Sequence, residues 1–310
     1  MAAEKKSRWM TVLKVILWLI VLSFAISFII SLFVEDDFES LDGNVAVIEI
    51  AGTIVAQDGS YLFEDVASSD EITKLIRKAG KNDRIKAIVF EINSPGGSAV
   101  ASDEIAAEIK KVNKTTVAWI REIGTSGAYW IASSTDHVVA NRMSITGSIG
   151  VIASYLGFEG FIEEHNITYN RLISGKYKDL GSPFKEITPE ERVLFEKSLG
   201  SINDYFIDEV AKNRNLNRKD VERLATGQFY LGVDALNLGL VDELGSKDEV
   251  KKYIEKQIDG EVDFVNYKTE KGFLGALSGV MSQNSFFIGK GIGNAFFTQA
   301  EKPQTISITT

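Results

Sequence analysis

Apolar and polar positions divide the 310-residue chain into three regions of different texture. The first runs from Trp9 to Val34 and is almost wholly apolar, broken only by Lys14 and a few serines and threonines. As a helix it is long enough to span a bilayer. Lys5, Lys6 and Arg8 precede it, and Glu35, Asp36, Asp37 and Glu39 follow. Lys14 lies near the basic end, where its stem can snorkel toward the headgroups. Because the basic flank comes first, residues 1–8 are expected in the cytoplasm and everything after Asp36 on the outer side of the cell membrane. A cleaved signal peptide would have a shorter apolar core ending in small residues, whereas Ile29 to Val34 stays mostly bulky. The reading is an uncleaved single-pass anchor over 9–34.

After a linker over 35–43, short apolar runs alternate with amphipathic stretches. Strands are predicted over 44–55, over 85–92, over 115–120 and at Val138 to Ala140, with a further one over 167–173. Helices are predicted over 69–79, 99–112, 128–133, 158–164, 189–213, 218–225 and 248–257 from apolar positions at helical spacing. The 85–92 run, interrupted only by Lys86 and Glu91, reads as a strand buried on both faces. Strand, glycine turn and helix recur in this order, which is the pattern of βαβ units and an α/β fold. From Gly272 small residues dominate and periodicity fades, so the chain reads as one domain over 44–266 and a tail over 267–310 that is poorly ordered or an interface segment. No internal repeat is present.

Composition narrows the chemistry. A net charge of -9 lacks the basic footprint of a general nucleic-acid binder. With no cysteine, disulfides, thiolate nucleophiles and thiolate-held zinc are excluded. The two histidines, His137 and His165, belong to no H-E-x-x-H pattern, so neither a metal site nor a cofactor is expected.

The stretch Gly124-Thr125-Ser126-Gly127-Ala128-Tyr129-Trp130 sets a serine between a strand and a helix. There its hydroxyl would lie beside free helix N–H groups, which stabilise developing negative charge. The alternative is a turn that needs small residues only for packing. A second glycine turn, Asn93-Ser94-Pro95-Gly96-Gly97-Ser98, ends the preceding strand, and the pair is much rarer than either alone.

With these two turns the chain resembles the signal peptide peptidase A family. The likeness runs from about Asn44 to Gly245, through S-P-G-G-S, T-S-G-A-Y-W, I-T-G-S-I-G-V-I, S-G-K-Y-K-D and L-G-L-V-D-E-L-G, in the family's order and spacing. It implies a ClpP/crotonase-like spiral of βαβ units and a membrane-bound serine endopeptidase with a Ser/Lys dyad, of the single-copy form. Carried over by motif, Ser126 is the nucleophile and Lys178 the base. Lys176 is the residue most easily confused with Lys178. Alternation cannot separate them, and the order of the motif selects Lys178. The backbone N–H groups of Gly97 and Gly127 are implied as the oxyanion hole. Ser148 is a candidate for orienting the lysine amine, with an ordinary turn residue as the alternative. The segment Ser98 to Ala101 is a candidate for pairing with an extended peptide. Where the family often has A-S-G-G, this chain has Thr125 and Ala128.

A lysine at its usual pKa of ~10.4 is protonated at neutral pH, so such a base has to be desolvated, and activity should rise toward mildly alkaline pH. The resemblance further implies a homo-oligomer on the membrane, with serine and lysine drawn from neighbouring subunits, acting on cleaved signal peptides and similar apolar peptides. Three other readings stand beside it. One is a Ser126–His137 pair with Asp136; another is a catalytically silent scaffold for membrane complexes; the third is a related ClpP-class membrane protease with another substrate.

Overall fold

Successive residues of Ala87-Ile88-Val89-Phe90 are all buried, as are Val45 to Ile48, because both faces of the sheet they form are covered. The computed structural model describes residues 2–33, 43–57 and 66–268. Most of the expected linker and the tail beyond Lys268 lie outside the described residues. The chain divides into two units, Met1–Asp42 and Gly43–Thr310.

In the first unit, α1 (Ala2–Phe33) is a continuous helix whose stretch Trp9–Ile26 is long and apolar enough to cross a membrane by length and composition. At ~1.5 Å per residue it is longer than the ~30 Å hydrocarbon layer.

The second unit begins with β1 (Val45–Ala51), β2 (Thr53–Val55), β3 (Val66–Ser68), α2 (Ser69–Lys81) and β4 (Ala87–Ser94). There follow α3 (Ala99–Ile109), β5 (Thr115–Thr125), α4 (Gly127–Ser133), β6 (His137–Ala140), β7 (Ile145–Gly147) and α5 (Glu159–Glu164). The last elements are α6 (Pro189–Asn213), α7 (Arg218–Leu224), β8 (Phe229–Leu231), α8 (Gly232–Asn237), β9 (Glu243–Leu244), α9 (Lys247–Ile258) and β10 (Phe264–Tyr267). The main sheet has the order β10-β1-β4-β5-β6-β9, parallel throughout, with β7 on the distal part of β5 and β8 antiparallel to β7. Val45, Val47, Ala87, Val89, Val117 and Val139 face α9 and meet Val250 and Ile254. Helices α2, α3 and α4 cover the other face, and α6 lies over α4, where Trp130 stacks on Phe206 at 4.8 Å. The α/β class and the N-terminal apolar helix read from the sequence are both present.

Two expectations need correction. Residues 167–173 are irregular, because the β-branched and aromatic side chains that suggest a strand find no partner strand there. Ile167 and Leu172 are exposed. Ala99 to Ala101 form the first turn of α3, capped by the Ser98 side chain accepting from the Ala101 N–H, and so cannot join a β-ladder. The extended backbone next to them is Gly96 to Ser98, which bridges in parallel to Ile54 of β2.

Candidate active site

Strand β5 stops at Thr125 and helix α4 starts at Gly127, so Ser126 alone makes the reversal between them. Its backbone has φ 53° and ψ −125°, a conformation that costs a residue with a side chain about 1–3 kcal/mol. Neighbouring groups hold it there. The Ser126 N–H donates to the Gly147 carbonyl at 2.8 Å, and the Ser126 carbonyl accepts from the Trp130 N–H at 3.0 Å. The Thr125 hydroxyl donates to the Pro95 carbonyl at 3.1 Å, tying this turn to the one after β4. Ser126 itself is half-buried, whereas Gly127 to Ala132 are buried. The departures from A-S-G-G are accommodated: Ala128 sits inside α4, where no glycine is needed, and Thr125 ends a strand.

The turn after β4 is built to lie against Ser126. Gly96 has φ +96°, and a Cβ there would fall 2.8 Å from the Gly127 nitrogen and 2.9 Å from the Ser126 Cβ. Its N–H donates to the Ser94 hydroxyl at 3.1 Å. A Cβ on Gly97 would sit 2.1 Å from the Ile54 carbonyl oxygen, so the bridge to β2 also demands glycine. In that bridge Ile54 bonds Gly96 and Ser98, which turns the Gly97 N–H away from β2. Gly97 makes no hydrogen bond through this N–H among the described residues. Gly127 supplies the first N–H of α4, which has no acceptor within the helix. The nitrogen of Gly97 is 3.5 Å from where a Gly127 Cβ would stand, so the two amide donors are neighbours beside Ser126. The sequence reading did not single out Gly96 or Ser102. The Ser102 hydroxyl donates to the Ser98 carbonyl at 2.9 Å and would lie 2.2 Å from a Cβ on Gly127. The first glycine of S-P-G-G-S was a visible signal for Gly96; nothing in the sequence marked Ser102.

Ser148 follows β7, which pairs with the last residues of β5. It has φ 51°; its N–H donates to the Gln228 carbonyl at 2.9 Å and its hydroxyl to the Gly227 carbonyl at 3.2 Å. Since Gly147 holds the Ser126 N–H, Ser148 is one residue from a direct contact with the serine turn. A pocket of about 460 Å³ lies beyond it, lined by Gln228 to Leu231, Asp234, Asn237 and Leu238. Behind Ser126, the fully buried Tyr129 hydroxyl donates to the Leu240 carbonyl at 2.8 Å, and burial pushes its phenol well above the ordinary tyrosine value.

Lys178 lies elsewhere in the chain, in a run of turns over 174–181 rather than an extended segment. It is exposed and has no ion pair or side-chain hydrogen bond among the described residues. No hydrogen bond joins it to Ser126 among the described residues. Lys176 differs sharply: its Nζ lies 2.6 Å from both oxygens of Glu190, and that hydrogen bond, helped by the Tyr177 hydroxyl, raises its pKa. Ser126, Gly97, Gly127 and Ser148 are therefore brought together in one chain, and Lys178 is not.

The histidine alternative fails on register. His137 opens β6 opposite Val117, whereas Ser126 follows Thr125 at the far end of β5. Eight residues of strand separate the two levels, roughly 26 Å at ~3.3 Å per residue, which no hydrogen bond spans. His137 is instead stacked on Tyr253 at 3.8 Å, with Nε2 3.3 Å from Glu243. Asp136 accepts from the Thr116 N–H and hydroxyl at the same distant edge.

Residues 108–260 match the model of peptidase family S49. A putative protease of Methanocaldococcus jannaschii is 33% identical over 220 residues, 70% of this chain and 70% of its own length. A putative signal peptide peptidase SppA of Enterococcus faecium is 32% identical over 230 residues, covering 72% of this chain and 67% of that protein. The chloroplastic serine protease SPPA of Arabidopsis thaliana is 31% identical over 205 residues, 65% of this chain, which account for 30% of that longer protein. With the serine turn and its two amide donors, these likenesses show that the chain belongs to the signal peptide peptidase A group of peptidase family S49 and is a serine peptidase.

Proposed function

We propose that this protein is a membrane-anchored endopeptidase that cuts apolar peptides, chiefly signal peptides already released from their precursors, with Ser126 as nucleophile and Lys178 as base. The observation that carries the reading is the strained Ser126 backbone with the Gly97 and Gly127 amides beside it. Such a serine needs a base to take its proton. Lys178 in neutral form accepts the Ser126 proton while Oγ bonds to the scissile carbonyl carbon. The Gly97 and Gly127 N–H groups hold the resulting oxyanion. The C–N bond then breaks, and the leaving amine takes the proton from the Lys178 ammonium. Water, losing a proton to Lys178, attacks the acyl ester; Ser126 recovers its proton as the acid departs. Ser148 orients the lysine amine beside the serine turn.

Within one chain Lys178 is exposed, so the proposal includes a homo-oligomer in which a neighbouring copy covers Lys178 and sets it against that copy's Ser126. Loss of water disfavours the ammonium and makes the lysine a base. The helix α1 anchors the chain with its amino terminus in the cytoplasm and residues after 43 outside, where peptides leaving the bilayer are met. The name of the Enterococcus faecium relative supports signal peptides as substrates.

The test is a peptidase assay of the full chain in detergent on a quenched fluorogenic apolar peptide. Ser126→Ala and Lys178→Ala should each abolish turnover while the particle mass stays that of the wild type. An inactive wild type would favour a silent scaffold, and an active Lys178→Ala would remove the dyad.

A further inference from the structure

The loop that carries Lys178 is rich in ions, and their pairing is selective. Arg171 grips both carboxylate oxygens of Asp179, through Nε to Oδ2 and through Nη2 to Oδ1, the latter at 2.8 Å. Lys176 takes both oxygens of Glu190 at 2.6 Å, and the Tyr177 hydroxyl donates to the same carboxylate. Lys185 lies 2.5 Å from Glu191. The charged and titratable groups around the loop are thus Arg171, Lys176, Tyr177, Asp179 and Lys185 from the loop, Tyr169 beside it, and Glu190 and Glu191 from α6. Of the cations, Arg171, Lys176 and Lys185 each hold a carboxylate, and Lys178 holds none.

Backbone hydrogen bonds define the turns around Lys178. Its N–H donates to the Gly175 carbonyl at 3.1 Å, Leu180 to Tyr177 at 3.2 Å, and Ser182 to Asp179 at 3.0 Å. Both chain neighbours of Lys178 are anchored away from it, Tyr177 to α6 and Asp179 to Arg171. The second tie is the more enclosed: the Asp179 side chain is 11% exposed, against 56% for Glu190.

From this geometry we infer that Arg171 is a positioning residue for Lys178, holding the adjacent Asp179 carboxylate so that it cannot pair with the lysine ammonium. The inference rests on the reading of Lys178 as the base. Exposed ion pairs add little stability, and Arg171 is 40% exposed, so its effect is on where the carboxylate points rather than on folding. A carboxylate freed beside Lys178 would favour the ammonium, since an opposite charge within ~4–6 Å shifts a titration by about 1–3 units.

The experiment uses the full chain in detergent with the same fluorogenic peptide and records kcat and KM across pH. Arg171→Gln should lower kcat at neutral pH, leave KM within about twofold, and move the rising limb upward by about one pH unit. Arg171→Lys should recover part of the loss, and the double variant Arg171→Gln, Asp179→Asn should return the limb to its wild-type position. An unmoved limb in Arg171→Gln, or a double variant that keeps the defect, overturns the inference. If Arg171→Gln does not assemble, Asp179→Asn alone decides: an unchanged limb agrees, and a limb moved to lower pH means that Asp179 already acts on Lys178. Lys178→Ala separates the two levels. Its inactivity beside an unmoved Arg171→Gln limb sinks only the positioning role, whereas activity in Lys178→Ala sinks the dyad and the inference with it.

Discussion

Two small turns meet at the serine, and the residue that lets them meet is Gly96. Its positive φ and its approach to the Gly127 nitrogen leave no room for a methyl group. Gly96→Ala would push the turn off Ser126 and carry the Gly97 N–H out of line. Since losing one oxyanion donor costs about 10²–10³ in rate, kcat/KM should fall by that order. Circular dichroism should stay close to wild type, because α3 and the ladders of the main sheet stand on other bonds. A Gly96→Ala variant with full activity would mean that the two turns do not act together. Ser126 carries a similar constraint at its own backbone, and the Gly147 carbonyl that satisfies its N–H keeps it in that conformation.

Among the elements, the end of α6 is tied to the sheet by one carboxylate. Arg214, the C-cap of α6, sends both terminal nitrogens to Asp242 at 2.8 and 2.7 Å and its Nε to the Gly239 carbonyl at 3.2 Å. Asp242 also accepts from the Val138 N–H at 2.7 Å, at the start of β6. Burial alone would raise the Asp242 carboxyl, yet the Arg214 fork, with the Val138 N–H, holds it below the ordinary aspartate value. A depressed folded pKa adds stability that is present above the unfolded value, ~3.9, and is lost as pH falls through the folded one. Asp242→Asn should therefore melt lower at neutral pH, by about 2 kcal/mol because Arg214 keeps a mostly buried charge with a weaker partner. The gap to wild type should narrow as pH drops below ~4. Thermal melting at several pH values measures both, and a gap independent of pH would show that the ion pair is not the cause.

On the scale of the whole molecule, the stretch from 152 to 184 leaves several large apolar side chains exposed. Leu172 is 96% and Ile152 86% exposed, with Leu156, Phe161 and Ile167 also uncovered. Large apolar side chains left in water are the material of association sites. Lys178 belongs to the same stretch, so covering it and desolvating the lysine would be a single event. Leu172→Asp should reduce the particle mass measured by light scattering and remove peptidase activity with it. An unchanged mass would place the contact between copies elsewhere.

Periodicity and turn chemistry determined most of the elements in advance. The buried run at Ala87 to Ile92, the helix at Pro189–Asn213 and the serine between strand and helix were all legible, because they depend on local spacing and on side chains that can be buried in only one way. The paired motifs S-P-G-G-S and T-S-G-A were legible too, since glycine is demanded wherever backbone meets backbone. Tertiary structure decided what depends on residues far apart in the chain. The apparent strand at 167–173 found no partner strand, His137 fell at the end of the strands remote from Ser126, and the close approach at Gly96, with the Thr125 hydroxyl bond to Pro95, joined the two turns. It also gave the two neighbouring lysines different surroundings. Alternation along the chain does not separate them, whereas in three dimensions Glu190, fourteen residues from Lys176, pairs with Lys176, and Lys178 has no ion pair among the described residues.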